Sequence, residues 1–145
     1  MVSVQQLLQS KSKHEIHSIT PEKSTYEALQ IMQEYDIGAI CVMEEGKLLG
    51  ILTERDYARK IVLCGKTSRH TAVRETMRDD YPVVRPNATI EDCMQLMTDQ
   101  RSRYVAVMDR QQFKGLISVG DVVKQMIMLQ QASIDMLETY ITGAA

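Results

Sequence analysis

Cysteine is scarce in this chain and badly placed for bridging. Cys41, Cys64 and Cys93 are odd in number and show no Cys-x-x-Cys spacing, which excludes a disulfide framework and a thiolate metal knuckle. Two of them sit in apolar periodic stretches, where a buried free thiol is the ordinary state, and this points to a reducing compartment. Charge of one sign is also lacking. The 17 basic side chains stand against 19 acidic ones, a net charge of -2, with no polybasic run, so neither nucleic acid nor an anionic membrane surface is an expected partner. No apolar run reaches the length of a membrane span, and Met1-Val2-Ser3-Val4-Gln5-Gln6 has neither the charged nor the apolar region of a signal peptide. The expected location is cytoplasmic.

Catalytic constellations are missing too. No nucleophile, base and orienting acid fall together, so no enzyme is expected. Gly65-Lys66-Thr67 copies the tail of a phosphate-binding loop, but Lys60 stands where its first glycine belongs and a helical pattern precedes it. It reads as a basic linker, whose Lys66 and Arg69 retain only the option of reaching a phosphate across a subunit interface. His14 and His17 have no Cys or carboxylate cluster beside them and His70 is alone, so no metal site is expected.

What is present is repetition. Gly50-Ile51-Leu52-Thr53-Glu54-Arg55-Asp56 returns as Gly115-Leu116-Ile117-Ser118-Val119-Gly120-Asp121. Each copy reads as the end of a buried strand breaking into a helix. A helix start offers backbone N–H groups and a positive dipole end to an anion such as phosphate. The Thr or Ser hydroxyl can join that contact, and an Asp one turn on can accept from the vicinal hydroxyls of a ribose. The same spacing is also a capping box that needs no ligand. Ser24 with Glu27 and Thr89 with Asp92 repeat that pattern where no ligand need be invoked.

A shift that takes residue 18 to 83 and residue 62 to 127 superposes the whole unit without a gap, so that Pro21 meets Pro86, Met32 meets Met97 and Val42 meets Val107. In chain order, a short helix over 4–8 and a polar connection lead to a short strand over 15–19. A helix capped by Ser24 follows, with Thr25, Ala28, Leu29 and Met32 on one face. An apolar strand over 39–43, a Glu44-Glu45-Gly46 turn, a strand over 47–52 and a helix from Glu54 to about Leu63 complete the first repeat. The linker runs over 64–71 and another short helix over 73–77. In the second repeat the turn at 109–112 has lost its glycine and is expected to be looser. One helix then runs from Ser118 to about Ile141, with Val122, Met126, Leu129, Ser133 and Met136 or Leu137 along one side, more than its own repeat can cover.

Two strand-helix-strand-strand-helix units, each ending in Gly-apolar-apolar-Thr/Ser-x-x-Asp, resemble a tandem pair of CBS domains, the module named for cystathionine beta-synthase. The likeness is to the small stand-alone bacterial type and spans nearly the whole chain, with repeats at 10–63 and 73–141. It implies an α/β (α+β) fold in which the repeats pack with pseudo-twofold symmetry, a flat homodimer, and clefts that take adenine-containing ligands. Carried over by position, it gives Asp56 and Asp121 to ribose hydroxyls, Thr53 and Ser118 to phosphate, Ile51 and Leu116 to the adenine, and backbone groups near Thr20 and Arg85 to its edge. At the start of the apolar strand the repeats differ, with Gly38 in the first and Arg103 in the second. An arginine there binds phosphate bidentately or is a solvated strand-end charge.

The expectation is therefore a regulatory, non-enzymatic module that senses AMP, with ATP, ADP or NAD as other candidates, and signals to a regulated protein the sequence does not name. The alternatives are an NAD(H) or S-adenosylmethionine sensor and a purely structural dimerisation module. No catalytic cofactor is expected.

Overall fold

The computed structural model describes residues 2–11 and 16–143. The polar connection at Ser12 and Lys13, the imidazole of His14 and the strand start at Glu15 lie outside the described residues.

The repeat in the sequence becomes a repeat in the hydrogen bonding. In the first repeat β1 (Ser18–Ile19) pairs parallel with β2 (Ala39–Glu44), which pairs antiparallel with β3 (Lys47–Thr53). The second repeat gives β4 (Val83–Val84), β5 (Tyr104–Asp109) and β6 (Gln112–Ser118), and both three-stranded sheets run in chain order. Ser18 pairs with Cys41 and Ile19 with Val42, while Val83 pairs with Ala106 and Val84 with Val107. These are the residues that the self-superposition of the sequence makes equivalent. Each central strand is buried on both faces, as its unbroken apolar run requires.

Helices α2 (Thr25–Tyr35) and α5 (Ile90–Asp99) carry the periodic apolar faces. Ala28 and Met32 are buried in one, and Ile90, Cys93 and Met97 in the other. Ser24 Oγ accepts from the Glu27 amide, and Thr89 with Asp92 forms a complete capping box. Both helices end in a left-handed residue, Asp36 and Arg101, at equivalent positions. Cys41 and Cys93 are buried and Cys64 is exposed. Burial pushes the Cys93 thiol up to about 11, so it stays protonated and inert.

The two short leading helices take places the sequence does not announce. Helix α1 (Val4–Ser10) puts Val4 and Leu7 into the core of the second repeat, beside Ile90, Val105 and Val107. Its amides hold the opposite loop, Val4 N–H donating to Ala88 O at 2.7 Å and Gln5 N–H to Pro86 O at 3.0 Å. Helix α4 (Val73–Thr76) does the same for the first repeat. Val73 joins the core of Ile40, Val42 and Leu52, and its N–H donates to Lys23 O at 2.8 Å.

This arrangement explains the glycine that opens each motif. A Cβ on Gly50 would lie 2.7 Å from both the Arg78 carbonyl oxygen and Met77 Sδ, and one on Gly115 would lie 3.0 Å from Leu8 Cδ2. The residues beside the leading helix press directly on the strand at both points. At the first, Ile51 and Arg78 exchange both backbone hydrogen bonds at 2.9 Å.

Two local expectations change. The second hairpin turn is as tight as the first: Arg110 and Gln111 take φ of 51° and 68°, close to Glu45 and Gly46 at 51° and 77°. The twist of paired strands demands that left-handed geometry with or without glycine. The helix after Thr53 is α-helical only over α3 (Glu54–Tyr57) and then widens into a π turn over Ala58–Val62, with Leu63 N–H donating to Ala58 O at 3.1 Å. Helix α6 (Val119–Thr142) runs as long as expected, and its apolar side outruns its own repeat as the sequence implies: Val122 is buried and Met126 packs on the core. Leu129 and Met136 are 40% and 74% exposed.

Gly50→Ala should lower stability by about 1–3 kcal/mol through overpacking against a backbone carbonyl that cannot swing aside. Urea unfolding of the variant beside wild type measures this, and an unchanged midpoint would remove the close-approach account.

Candidate functional site

Each strand-to-helix junction is closed by its own side chains. At the first, the Thr53 N–H and Oγ1–H both donate to Asp56 Oδ2, at 3.0 and 2.9 Å, and the Asp56 N–H returns a bond to Thr53 Oγ1 at 3.1 Å. At the second, the Ser118 N–H donates to Asp121 Oδ2 at 2.9 Å and the Asp121 N–H to Ser118 Oγ at 3.1 Å. The next amide is engaged as well: Glu54 N–H donates to Gly38 O at 3.2 Å and Val119 N–H to Arg103 O at 2.9 Å. The helix starts are therefore capping boxes first, with fewer amides turned outward than a bare helix terminus offers an anion.

The structure thus brings Gly38, Thr53 and Asp56 together at one junction and Arg103, Ser118 and Asp121 at the other. Arg103 arrives through its carbonyl, and its side chain is exposed. Thr20 is not part of the first cluster. It follows Ile19, which lies in the sheet row of Val42 and Gly50, whereas Thr53 pairs with Ala39, three residues or about 10 Å further along β2. Arg85, just past β4, is likewise remote from the start of β5. Both are exposed, and their carbonyls accept turn bonds from Lys23 N–H at 3.3 Å and Ala88 N–H at 3.0 Å. Ile51 is only 3% exposed, so its side chain is closed to a base; Leu116 is half-buried.

Two lysines missed by the sequence reading complete the junctions. Lys11, at the end of α1, lies 3.0 Å from Asp121 Oδ2 and donates to Leu116 O at 2.9 Å. Lys60 lies 3.9 Å from Asp56 Oδ1 and donates to the carbonyls of Thr76 and Met77 at 3.0 and 3.2 Å. The first pairing spans most of the chain and leaves no local signal. The second is an i,i+4 acid–base pair that helix spacing makes visible. The carboxylates also differ in access, the Asp56 side chain being 8% exposed and that of Asp121 23%. Asp121 Oδ1 has no partner among the described residues.

Other candidates are engaged elsewhere. Arg69 stacks its guanidinium 4.0 Å from the Tyr26 ring centroid, and His17 stacks on Tyr35 with centroids 4.1 Å apart. Among the described residues no group of His, Cys, Asp and Glu is placed to hold a metal ion, and no helix is long and apolar enough to cross a membrane.

The duplicated junction, at the same place in two equivalent units, has its counterpart in a known family: residues 8–63 and 73–127 each match the CBS domain. The chain belongs to the CBS domain family. This CBS pair is 35% identical over 129 residues to the mitochondrial CBS domain-containing protein CBSX3 of Arabidopsis thaliana, covering 86% of this chain and 63% of that protein. It therefore spans less than two thirds of that relative's length. It is 33% identical over 113 residues to the CBS domain-containing protein YhcV of Bacillus subtilis, covering 77% and 80% of the two chains. Among solved structures, a protein with CBS domains from Burkholderia ambifaria superposes with a TM-score of 0.84 at 40% identity, covering 88% of this chain and 95% of the other. A CBS pair is in general a regulatory ligand-binding module.

The caps predict a stability difference without any ligand. Asp56→Ala, which strips a buried carboxylate holding two donors, should cost about 1–3 kcal/mol, and Asp121→Ala, more exposed, about 1 kcal/mol. Chemical unfolding of ligand-free protein orders the two; equal losses near zero would show that the boxes do not hold the junctions.

Proposed function

We propose that this CBS pair is a regulatory module that binds an adenine nucleotide, AMP first and ADP, ATP or NAD as the other candidates, and passes the bound state to a partner protein. It acts as a homodimer in the cytoplasm and catalyses nothing itself. The reading is carried by the second junction, where the cap consumes Asp121 Oδ2 but leaves Oδ1 to accept from the two ribose hydroxyls. Exposed Arg103 and half-buried Lys11 supply the positive charge for a phosphate, the arginine in bidentate geometry. The first junction ranks below it, because Asp56 is nearly sealed and Gly38 stands where Arg103 stands.

A ligand here would act on α6 at its root, since Ser118 is the N-cap of that helix and Asp121 lies in its first turn. Micromolar binding totals about 8 kcal/mol, whereas turning a 1:99 population into 99:1 needs about 5.5 kcal/mol of difference between states. A partial shift in the packing and mobility of α6 is the expected response. The closed caps favour a second reading, a structural dimerisation module with no ligand. S-adenosylmethionine would use the same carboxylate, but it carries no phosphate for Arg103.

A thermal-shift screen with AMP, ADP, ATP, NAD, NADH and S-adenosylmethionine separates these readings, a ligand at a hundred times its Kd stabilising by about 2.7 kcal/mol. The nucleotide reading predicts a hit that Asp121→Asn weakens at least tenfold, and that Arg103→Ala weakens only when the ligand carries phosphate. No hit supports the structural module instead, and a hit indifferent to Asp121→Asn contradicts the assignment of the ligand to the second junction.

A further inference from the structure

Beyond Met126 helix α6 leaves the core of its own unit, and five of its exposed apolar residues form a regular row, with Met128, Leu129 and Met136 exposed outside it. Val123, Ile127, Ile134, Leu137 and Ile141 are 47, 60, 47, 60 and 79% exposed. With Gln130 they follow one another in alternating steps of four and three residues. That alternation is the a/d seam of a coiled coil, with isoleucine at every a position and Val123, Gln130 and Leu137 at d. We propose that α6 pairs with the α6 of a second copy of this chain as a short antiparallel coiled coil. The proposal gives the homodimer named above its interface and rests on that reading, but it is independent of whether a nucleotide binds.

Charge selects both the partner and its direction. Lys124, Gln131 and Glu138 flank the seam at the e positions, and Met126, Ser133 and Tyr140 at the g positions. In an antiparallel pair of identical helices, e faces e and g faces g across a twofold axis. Lys124 then meets Glu138 of the second copy, twice by symmetry, with Gln131 against its own equivalent near the axis. On the other edge Met126 meets Tyr140, and the small Ser133 lies at the axis. The seam layers match as well: Ile127 meets Leu137, Ile141 meets Val123 and Ile134 meets Gln130. A parallel pair would set Met126 against Gln131 and Ser133 against Glu138, with no charge pair at either. Neither Lys124 nor Glu138 makes an ion pair among the described residues.

The size suffices. Residues 123–141 cover about 27 Å of helix, and their exposed side chains, Tyr140 at 87% among them, offer on the order of 500 Å² per chain, hence 1,000 Å² in total, the lower bound for a specific interface. The helix is already formed from Ser118, so pairing carries no nucleation cost.

Light scattering and sedimentation velocity on the full chain test the seam. Wild type should be dimeric at tens of micromolar, and Ile134→Glu with Leu137→Glu should make it monomeric with its unfolding transition retained, because both side chains are exposed in the single chain. Lys124→Glu should weaken the dimer three- to tenfold, and adding Glu138→Lys to it should restore wild-type affinity. A wild-type monomer overturns the homodimer and the seam together. A dimer that survives the double glutamate variant overturns the seam alone, and failure of the charge swap to rescue overturns the antiparallel direction.

Discussion

Everything in this molecule turns on a reciprocal pair of hydrogen bonds at the strand-to-helix junction of each repeat, in which a hydroxyl residue and an Asp three positions on each accept, through the side chain, from the other's backbone amide. Thr53 with Asp56 and Ser118 with Asp121 end a buried strand and start a helix within a single residue. That abrupt change of direction exposes amides that would otherwise go unpaired, and a side-chain oxygen at each position satisfies them at about 3 Å. The carboxylate has more acceptor capacity than the cap uses. At Asp121 the surplus is accessible, and there a structural device becomes a candidate binding device.

The second constraint is the short helix that completes each core. A repeat of two helices and three strands leaves an apolar gap, and α1 and α4 fill it with Val4, Leu7 and Val73, all buried. Each brings a chain segment close to the strand, against a backbone carbonyl at Gly50 and against the Leu8 side chain at Gly115. Helix α1 also ends at Lys11, whose ammonium reaches Asp121. One small helix thus sets the packing of the second repeat and the charge at its junction.

Much of this was legible in the sequence, because repeated spacing reports repeated geometry. The strand register, the faces of α2 and α5 and the four capping pairs all follow from periodicity and from hydroxyl-to-acid spacing. Contacts between distant segments were not legible. Nothing near Lys11 in the chain names Asp121, and nothing near Val4 or Val73 says which core each enters. The turn at Arg110 and Gln111 was misjudged from residue preference, where strand twist decides. The family resemblance gives Ile51 to the adenine, but its side chain is only 3% exposed, beside the backbone pair it forms with Arg78.

Helix α6 joins the two halves of the proposed function. Its first turn contains the carboxylate that would read a ribose, and its outer turns contain the seam that would meet a second chain. Ligand contact at Asp121 and pairing beyond Ile127 would then be linked through one rigid element. The central claim is that Asp121 serves a ligand as well as a cap, and amide NMR of isotope-labelled protein titrated with AMP tests it most directly. The account predicts saturable shifts at Ser118, Val119 and Asp121 and at Arg103, larger than those at Thr53 and Asp56. Saturable shifts confined to other residues, or none at millimolar AMP, would contradict it.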